Sequence, residues 1–200
     1  MLKLLLALIC SFYLLPGSAQ KNYGVSQDYY IYKNNRNSIV PLVYYETKNH
    51  WYSAARYNYE EDQTLSLQLG KKFSKHGIVS YSITPLAGWL SGKFNGMSIG
   101  TQAQMDAGKF SLSTEPEYCV QFNHPSTRFF YSWSELTIQA SPLFYTGLAL
   151  QATRENEKNL TADPGFVLAF SFKNFEIPLY FFKPSSLHYF ITGIHWRLIK

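Results

Sequence analysis

The sequence predicts an all-β protein, a single antiparallel up-and-down transmembrane β-barrel. Through the C-terminal half, apolar side chains alternate with polar or small ones, which is the period of two that a pleated strand imposes. Aromatic residues make up 18% of the chain and charged residues only 16%, and such a surplus of rings is typical of the aromatic girdles of membrane barrels. An N-terminal export signal is the third observation that favours this fold.

The N-terminal segment, residues 1–19, has the pattern of a cleaved signal peptide. Lys3 supplies a positive n-region, residues 4–15 an apolar core, and residues 17–19 a small-residue cleavage site. A retained helical anchor is disfavoured because the apolar run is shorter than the roughly 20 residues that span a bilayer. A lipoprotein signal is disfavoured because a bulky residue precedes the cysteine of the run. We therefore assign residues 20–200 to one outer-membrane β-barrel domain.

The domain opens with residues 20–38, a polar lead-in that cannot supply a core of its own and serves as a periplasmic segment or a short extra hairpin. Residues 39–46 are a candidate strand. Matching the period of two along the remaining chain predicts about ten strands, with eight and twelve left open. These strands lie near residues 51–60, 63–73, 78–93, 96–106, 109–121, 128–140, 143–154, 164–172, 174–182 and 188–199.

Four strands show an apolar outward face most clearly, opposite a face of small or polar residues, as a lipid-exposed wall requires. The predicted outward residues are Leu65, Leu67, Leu69, Phe166, Leu168, Phe170, Phe172, Phe175, Ile177, Leu179, Phe181, Phe190, Ile194, Trp196 and Leu198.

Connection lengths provide an independent test of the strand count. The long connections follow odd-numbered strands of this count: residues 122–127, 155–163 and 183–187. The tight links follow even-numbered strands: residues 106–108, 141–142 and 173–174. Alternating long outer loops and short inner turns are typical of a barrel with an even number of strands and both termini in the periplasm.

The predicted inward positions collect ionisable side chains of both signs. We expect these groups to pair across the lumen, because an unpaired buried charge is strongly destabilising. The first interpretation is a polar plug that keeps the barrel closed; a narrow polar pore or a site near one end are the alternatives. The predicted lumen charge network comprises Arg56, Glu60, Lys72, Glu115, Glu117, Glu135, Glu176, His195 and Arg197.

Little in the sequence indicates catalysis or a cofactor. His124, Ser126 and Glu117 are the nearest approach to an acid-base group, but they match no defined catalytic spacing. The five histidines show no paired ligand spacing, so we predict no metal site, no cofactor and no enzyme. Cys119 is left alone once the signal is removed, which excludes an internal disulfide. The formal charge of +5 includes no run of Lys or Arg, so we predict no nucleic-acid partner.

The combination resembles outer-membrane β-barrel proteins of Gram-negative bacteria, and residues 56–60, Arg-Tyr-Asn-Tyr-Glu, are similar to small barrels of the Bacteroidetes type. The resemblance implies insertion by the outer-membrane assembly machinery, which usually reads a C-terminal strand that ends in an aromatic residue. Here Trp196 lies near the end and Lys200 closes the chain, which is a departure from that pattern.

The predicted function is therefore a non-enzymatic integral outer-membrane protein with a structural or envelope-complex role. The alternatives are a narrow channel for small polar solutes and a lipid-modifying barrel enzyme. The expected partners are outer-membrane lipids, the assembly machinery during biogenesis and an envelope protein.

Overall fold

The computed structural model describes residues 22–32, 37–124, 127–156, 158–183 and 188–199. The predicted signal peptide lies outside these ranges. Within them, no helix is long and apolar enough to cross a membrane. The strands are β1 (Asn22–Tyr32), β2 (Ser38–Glu46), β3 (Trp51–Tyr57), β4 (Thr64–Lys71), β5 (Phe73–Lys75), β6 (Val79–Gly92), β7 (Gly96–Ala107), β8 (Phe110–Gln121), β9 (Arg128–Ser141), β10 (Phe144–Glu155), β11 (Thr161–Phe172), β12 (Phe175–Phe182) and β13 (Tyr189–Ile199).

The strands form one closed antiparallel sheet. Apart from β4 and β5, each strand pairs with its neighbours in the chain, and β1 pairs along its full length with β13, which joins the two ends of the sheet. Both β4 and β5 pair with β6, so they are two parts of one wall strand interrupted at Lys72. The wall therefore has twelve strands. The predicted antiparallel barrel is confirmed, at the upper end of the predicted range of strand numbers.

Of the two wall strands beyond the predicted ten, β2 is the candidate strand and β1 comes from the segment predicted as a polar lead-in, so for residues 22–32 that prediction is wrong. Gly24 and Asp28 face the interior, whereas Val25 and Ile31 are 43% and 44% exposed on the exterior. The polar residues of this segment need no core of their own because they face a polar lumen. The candidate strand at residues 39–46 is confirmed as part of β2.

The exterior of the barrel is apolar. The predicted outward residues are exposed or half-buried in every case, and Leu67, Leu168 and Ile177 reach exposures of 50%, 52% and 47%. A soluble monomer rarely carries a continuous apolar surface of this extent. Lipid-facing apolar bands of this kind are the hallmark of transmembrane barrels, so the outer surface is built for contact with lipid.

The two ends of the barrel differ in the length of their connections. Longer segments, residues 58–63, 122–127, 156–160 and 183–188, join strands at one end, which we name the long-loop end, together with the short connection 93–95. Short segments, residues 47–50, 108–109, 142–143 and 173–174, join them at the other, the short-turn end. Adding two strands at the front of the chain leaves the predicted alternation intact. The buried side chains line the lumen between these ends, and the largest apolar cluster contains Val167, Tyr180, Phe182, Tyr189 and Ile191.

Candidate functional site: the charged lumen

A buried arginine in the long-loop half of the lumen binds three carboxylates. Arg56 of β3 is 1% exposed. Its Nη2 lies 2.5 Å from Glu60 Oε1 and also binds Glu117, and its Nη1 lies 2.7 Å from Glu115 Oε1. The wall order places β4, β6 and β7 between β3 and β8, which carries Glu115 and Glu117. These ion pairs therefore cross the lumen, and we name the four residues the Arg56 cluster.

Neutral side chains complete the surroundings of the Arg56 cluster. Gln68 Nε2 donates to Glu117 Oε1 at 3.0 Å, and Gln102 Nε2 donates to Glu115 Oε2 at 3.3 Å. The guanidinium of Arg56 also lies 3.9 Å above the centre of the Tyr59 ring, a favourable cation–π distance. Burial raises the pKa of the Glu60 carboxyl above its usual range, although the neighbouring arginine opposes this rise.

Residue Glu60 reaches the lumen because the connection 58–63 folds inward. The sequence predicts a strand through residue 60, but β3 ends at Tyr57. Asn58 and Gln63 both have positive φ, 61° and 56°, and the Asn58 side chain accepts a hydrogen bond from the Gln63 backbone at 2.7 Å. This closed turn places Glu60 against Arg56 instead of in the wall.

A second charged group lies nearer the short-turn end. His195 Nε2 is 2.8 Å from Asp28 Oδ1, and its Nδ1 is 3.4 Å from Glu176 Oε1. Arg197 Nη2 lies 3.5 Å from the other oxygen of Glu176. Gly193 makes room for this group, because a Cβ at that position would collide with the Asp28 carboxylate. The sequence analysis missed Asp28 because it lies in the segment taken for a lead-in.

A third group lines a polar cavity at the short-turn end. Lys72 Nζ lies 3.2 Å from Glu46 Oε2, and His50 Nδ1 lies 3.1 Å from Glu46 Oε1. The cavity has a volume of about 370 Å³. Its lining is polar apart from one tyrosine and comprises Glu46, His50, Lys72, Ser74, His76, Ser80, Tyr81, Ser82, Gln104 and Asp106.

The remaining predicted lumen residue, Glu135, has neutral partners. Trp133 Nε1 donates to Glu135 Oε1 at 2.6 Å and Tyr180 OH donates to the same oxygen at 2.8 Å. The Trp133 ring also packs edge-on against Tyr180 and Phe182. All nine predicted lumen residues thus face the interior, but they form separate groups instead of one network.

A chain of contacting side chains crosses the lumen beside the Arg56 cluster. The Tyr59 and Tyr131 rings lie 5.3 Å apart, and Gln151 Nε2 donates to Tyr131 OH at 3.1 Å. Tyr189 OH donates in turn to Gln151. We name Tyr59, Tyr131, Gln151 and Tyr189 the tyrosine layer. The sequence pattern places Tyr131 and Tyr189 on inward faces, but it does not show which strands lie opposite one another.

The weak catalytic candidates are not assembled into a site. Both oxygens of Glu117 are engaged, by Arg56 and Gln68, whereas His124 is exposed in a connection at the long-loop end. Ser126 lies outside the described residues. No cluster of three or more His, Cys, Asp or Glu side chains suited to a metal ion occurs among the residues that the structure describes.

No family model and no curated protein sequence matches the chain. Among solved structures, the KdgM porin superposes with a TM-score of 0.62 at 11% identity, covering 86% of this chain and 98% of the porin. The KdgM porin in complex with disordered oligogalacturonate gives 0.60 at 10%, covering 88% and 98%. The NanC porin gives 0.60 at 11%, covering 89% and 99%. The barrel has the fold of these porins. The resemblance to the Bacteroidetes type stays a prediction.

Proposed function

We propose that this chain forms a narrow channel for small polar solutes in the outer membrane. The observation that carries the proposal is a lumen with charged and polar groups at several levels, enclosed by a twelve-stranded wall. Eight strands already give an interior that side chains can fill, so this wall is wider than a plugged barrel needs. The similarity to two porins, one of them solved with an oligogalacturonate, supports the same function.

The path for a solute has a wide end and a narrow level. The polar cavity opens the lumen at the short-turn end. The tyrosine layer and the Arg56 cluster form the narrow level nearer the long-loop end. Tyr59 belongs to the connection 58–63 and not to the wall, so its ring can move without breaking a strand ladder. Passage of a solute then requires displacement of this connection.

The membrane placement rests on the apolar exterior. We propose that outer-membrane lipids cover it, and that the assembly machinery inserts the barrel through its last strand. Trp196 of that strand is 39% exposed and stacks on Phe175 at 5.9 Å, so an outward aromatic surface is present near the C terminus. The absence of an enzymatic activity and the envelope partner stay predictions.

A structural barrel without conductance is the second candidate. It is favoured by the ion pair between Arg56 and Glu117, which crosses the lumen with both side chains almost fully buried. In that case the tyrosine layer is a permanent plug, and a partner protein would meet the connections at the long-loop end.

Conductance in planar lipid bilayers separates these candidates. The three proteins to compare are the wild type, Tyr131→Ala in the tyrosine layer, and Tyr118→Ala on the exterior, where the ring is 37% exposed. The channel predicts small unitary currents for the wild type and for Tyr118→Ala, and larger unitary currents for Tyr131→Ala.

The other outcomes are equally informative. A silent wild type beside a conducting Tyr131→Ala variant would support the plugged barrel. Silence of all three correctly folded proteins at high protein load would contradict the channel.

A further inference from the structure

The lumen carries an excess of negative side chains, although the chain as a whole is basic. Each of these carboxylates contacts another interior side chain or lines the polar cavity. Within the described residues the interior carboxylates are Asp28, Glu46, Glu60, Asp106, Glu115, Glu117, Glu135, Asp163 and Glu176. The interior Lys and Arg residues in the same ranges are Arg56, Lys72, Lys183 and Arg197.

Other basic side chains lie on the exterior or in the connections. Lys71 points outward and lies 5.4 Å from the centre of the exposed Trp51 ring. Lys173 lies in a short turn, 5.2 Å from the centre of the outward Phe172 ring. Lys158, in a connection at the long-loop end, has a side chain that is 71% exposed. The positive formal charge of the chain therefore does not describe the lumen.

The excess of negative charge is most deeply buried at the Arg56 cluster. One guanidinium faces three carboxylates there. One acceptor oxygen beside them, Gln68 Oε1, is buried and receives no hydrogen bond. A buried acceptor without a donor is destabilising. A positive group at this level would therefore contact this oxygen and the carboxylates favourably.

We infer that the channel selects cations over anions and that its solutes are small cations or cationic polar molecules. The inference rests on the proposed channel function. Carboxylates in a narrow passage with low-dielectric walls concentrate cations and repel anions, and the Arg56 cluster brings three carboxylates together in this passage. A polyanion such as the oligogalacturonate of the KdgM complex would be repelled by the same groups.

The reversal potential in a bilayer with a gradient of KCl tests this inference. We expect the sign that reports preference for K⁺ over Cl⁻, in the wild type and in Tyr131→Ala. The double variant Glu115→Gln/Glu117→Gln keeps side-chain shape and removes two charges at the Arg56 cluster, so its preference should fall towards none. Asp106→Asn/Glu135→Gln should lower the preference without touching that cluster, which keeps the test valid if the first variant fails to fold.

The matched control is Lys71→Gln, which removes a charge on the exterior of the barrel, where Lys71 lies beside the exposed Trp51 ring. Its reversal potential should equal that of the wild type. Unselective or anion-selective current in the wild type would overturn the inference and leave the channel standing. The absence of current from both the wild type and Tyr131→Ala would overturn the channel, and the selectivity with it.

Discussion

Arg56 connects the two sides of the lumen in the long-loop half. Its guanidinium binds Glu60 from a connection and two carboxylates from β8. Burying a charge costs free energy that ion pairing recovers only when the geometry is good. The arginine is therefore less a source of net stability than a requirement created by the acidic groups around it.

Replacement of Arg56 by alanine should destabilise the barrel strongly. The change leaves three carboxylates close together without their cation, and breaking a buried ion pair from one side costs about 3–5 kcal/mol. Urea titration of the protein folded in lipid vesicles, followed by tryptophan fluorescence, measures the free energy of unfolding. Arg154→Ala, at an exposed position of β10, is the control and should lie within about 0.5 kcal/mol of the wild type. Equal stability of the two variants would contradict the role of the cluster.

At the scale of residues, the sequence predicts orientation but not proximity. A period of two assigns Glu115 and His195 to the inner face, and the structure agrees. The pattern contains no information on which strands face one another across a closed barrel, so the pairing of Arg56 with β8 could not be predicted. Asp28 was not predicted to face the lumen, because tyrosines occupy both faces of β1 and weaken the alternation of polar and apolar residues.

Strands with two chemically different faces are the repeated element of this barrel. On β4, Leu65, Leu67 and Leu69 are exposed, whereas Ser66 and Gln68 are buried on the inner face. The register with β3 and β6 continues this division into the neighbouring strands. A shift of one residue would turn the leucines inward and the polar residues to lipid, so the apolar band fixes the register.

A charge in the middle of this apolar face should be costly. For Leu67→Arg we expect a loss of about 2–4 kcal/mol, the cost of an arginine on the lipid face at the centre of a bilayer. Leu160→Arg is the matched control, because Leu160 is exposed to a similar degree, 56% against 50% for Leu67, but lies in a connection outside the wall. The unfolding free energies in phospholipid vesicles give the comparison. An equal effect of the two substitutions would mean that Leu67 does not face lipid.

Strand positions were largely predictable, and the two failures have local causes. Residues 57–60 continue an alternating pattern, yet the positive φ of Asn58 ends β3 and turns the chain into the lumen. Residues 22–32 lack an apolar run because half of their side chains face polar surroundings. The sequence of this barrel strand is therefore similar in composition to that of a polar linker.

Closure of the whole molecule depends on the pairing of the first strand with the last. β1 and β13 are paired over their full lengths, and each would otherwise expose an edge whose backbone groups cannot be satisfied in lipid. The alternation of long and short connections predicts an even number of strands correctly. It cannot predict the number itself, because a pair of strands added at one end leaves the alternation unchanged.

The most direct test of the transmembrane barrel combines two measurements. Cell fractionation shows whether the protein is recovered with outer membranes, and a denaturing gel compares its migration before and after boiling. A closed barrel that spans the membrane resists detergent until it is heated. We therefore expect recovery in the outer-membrane fraction and two different positions on the gel. Recovery in the soluble periplasmic fraction, with one position regardless of heating, would contradict a transmembrane barrel and favour a soluble β-sandwich.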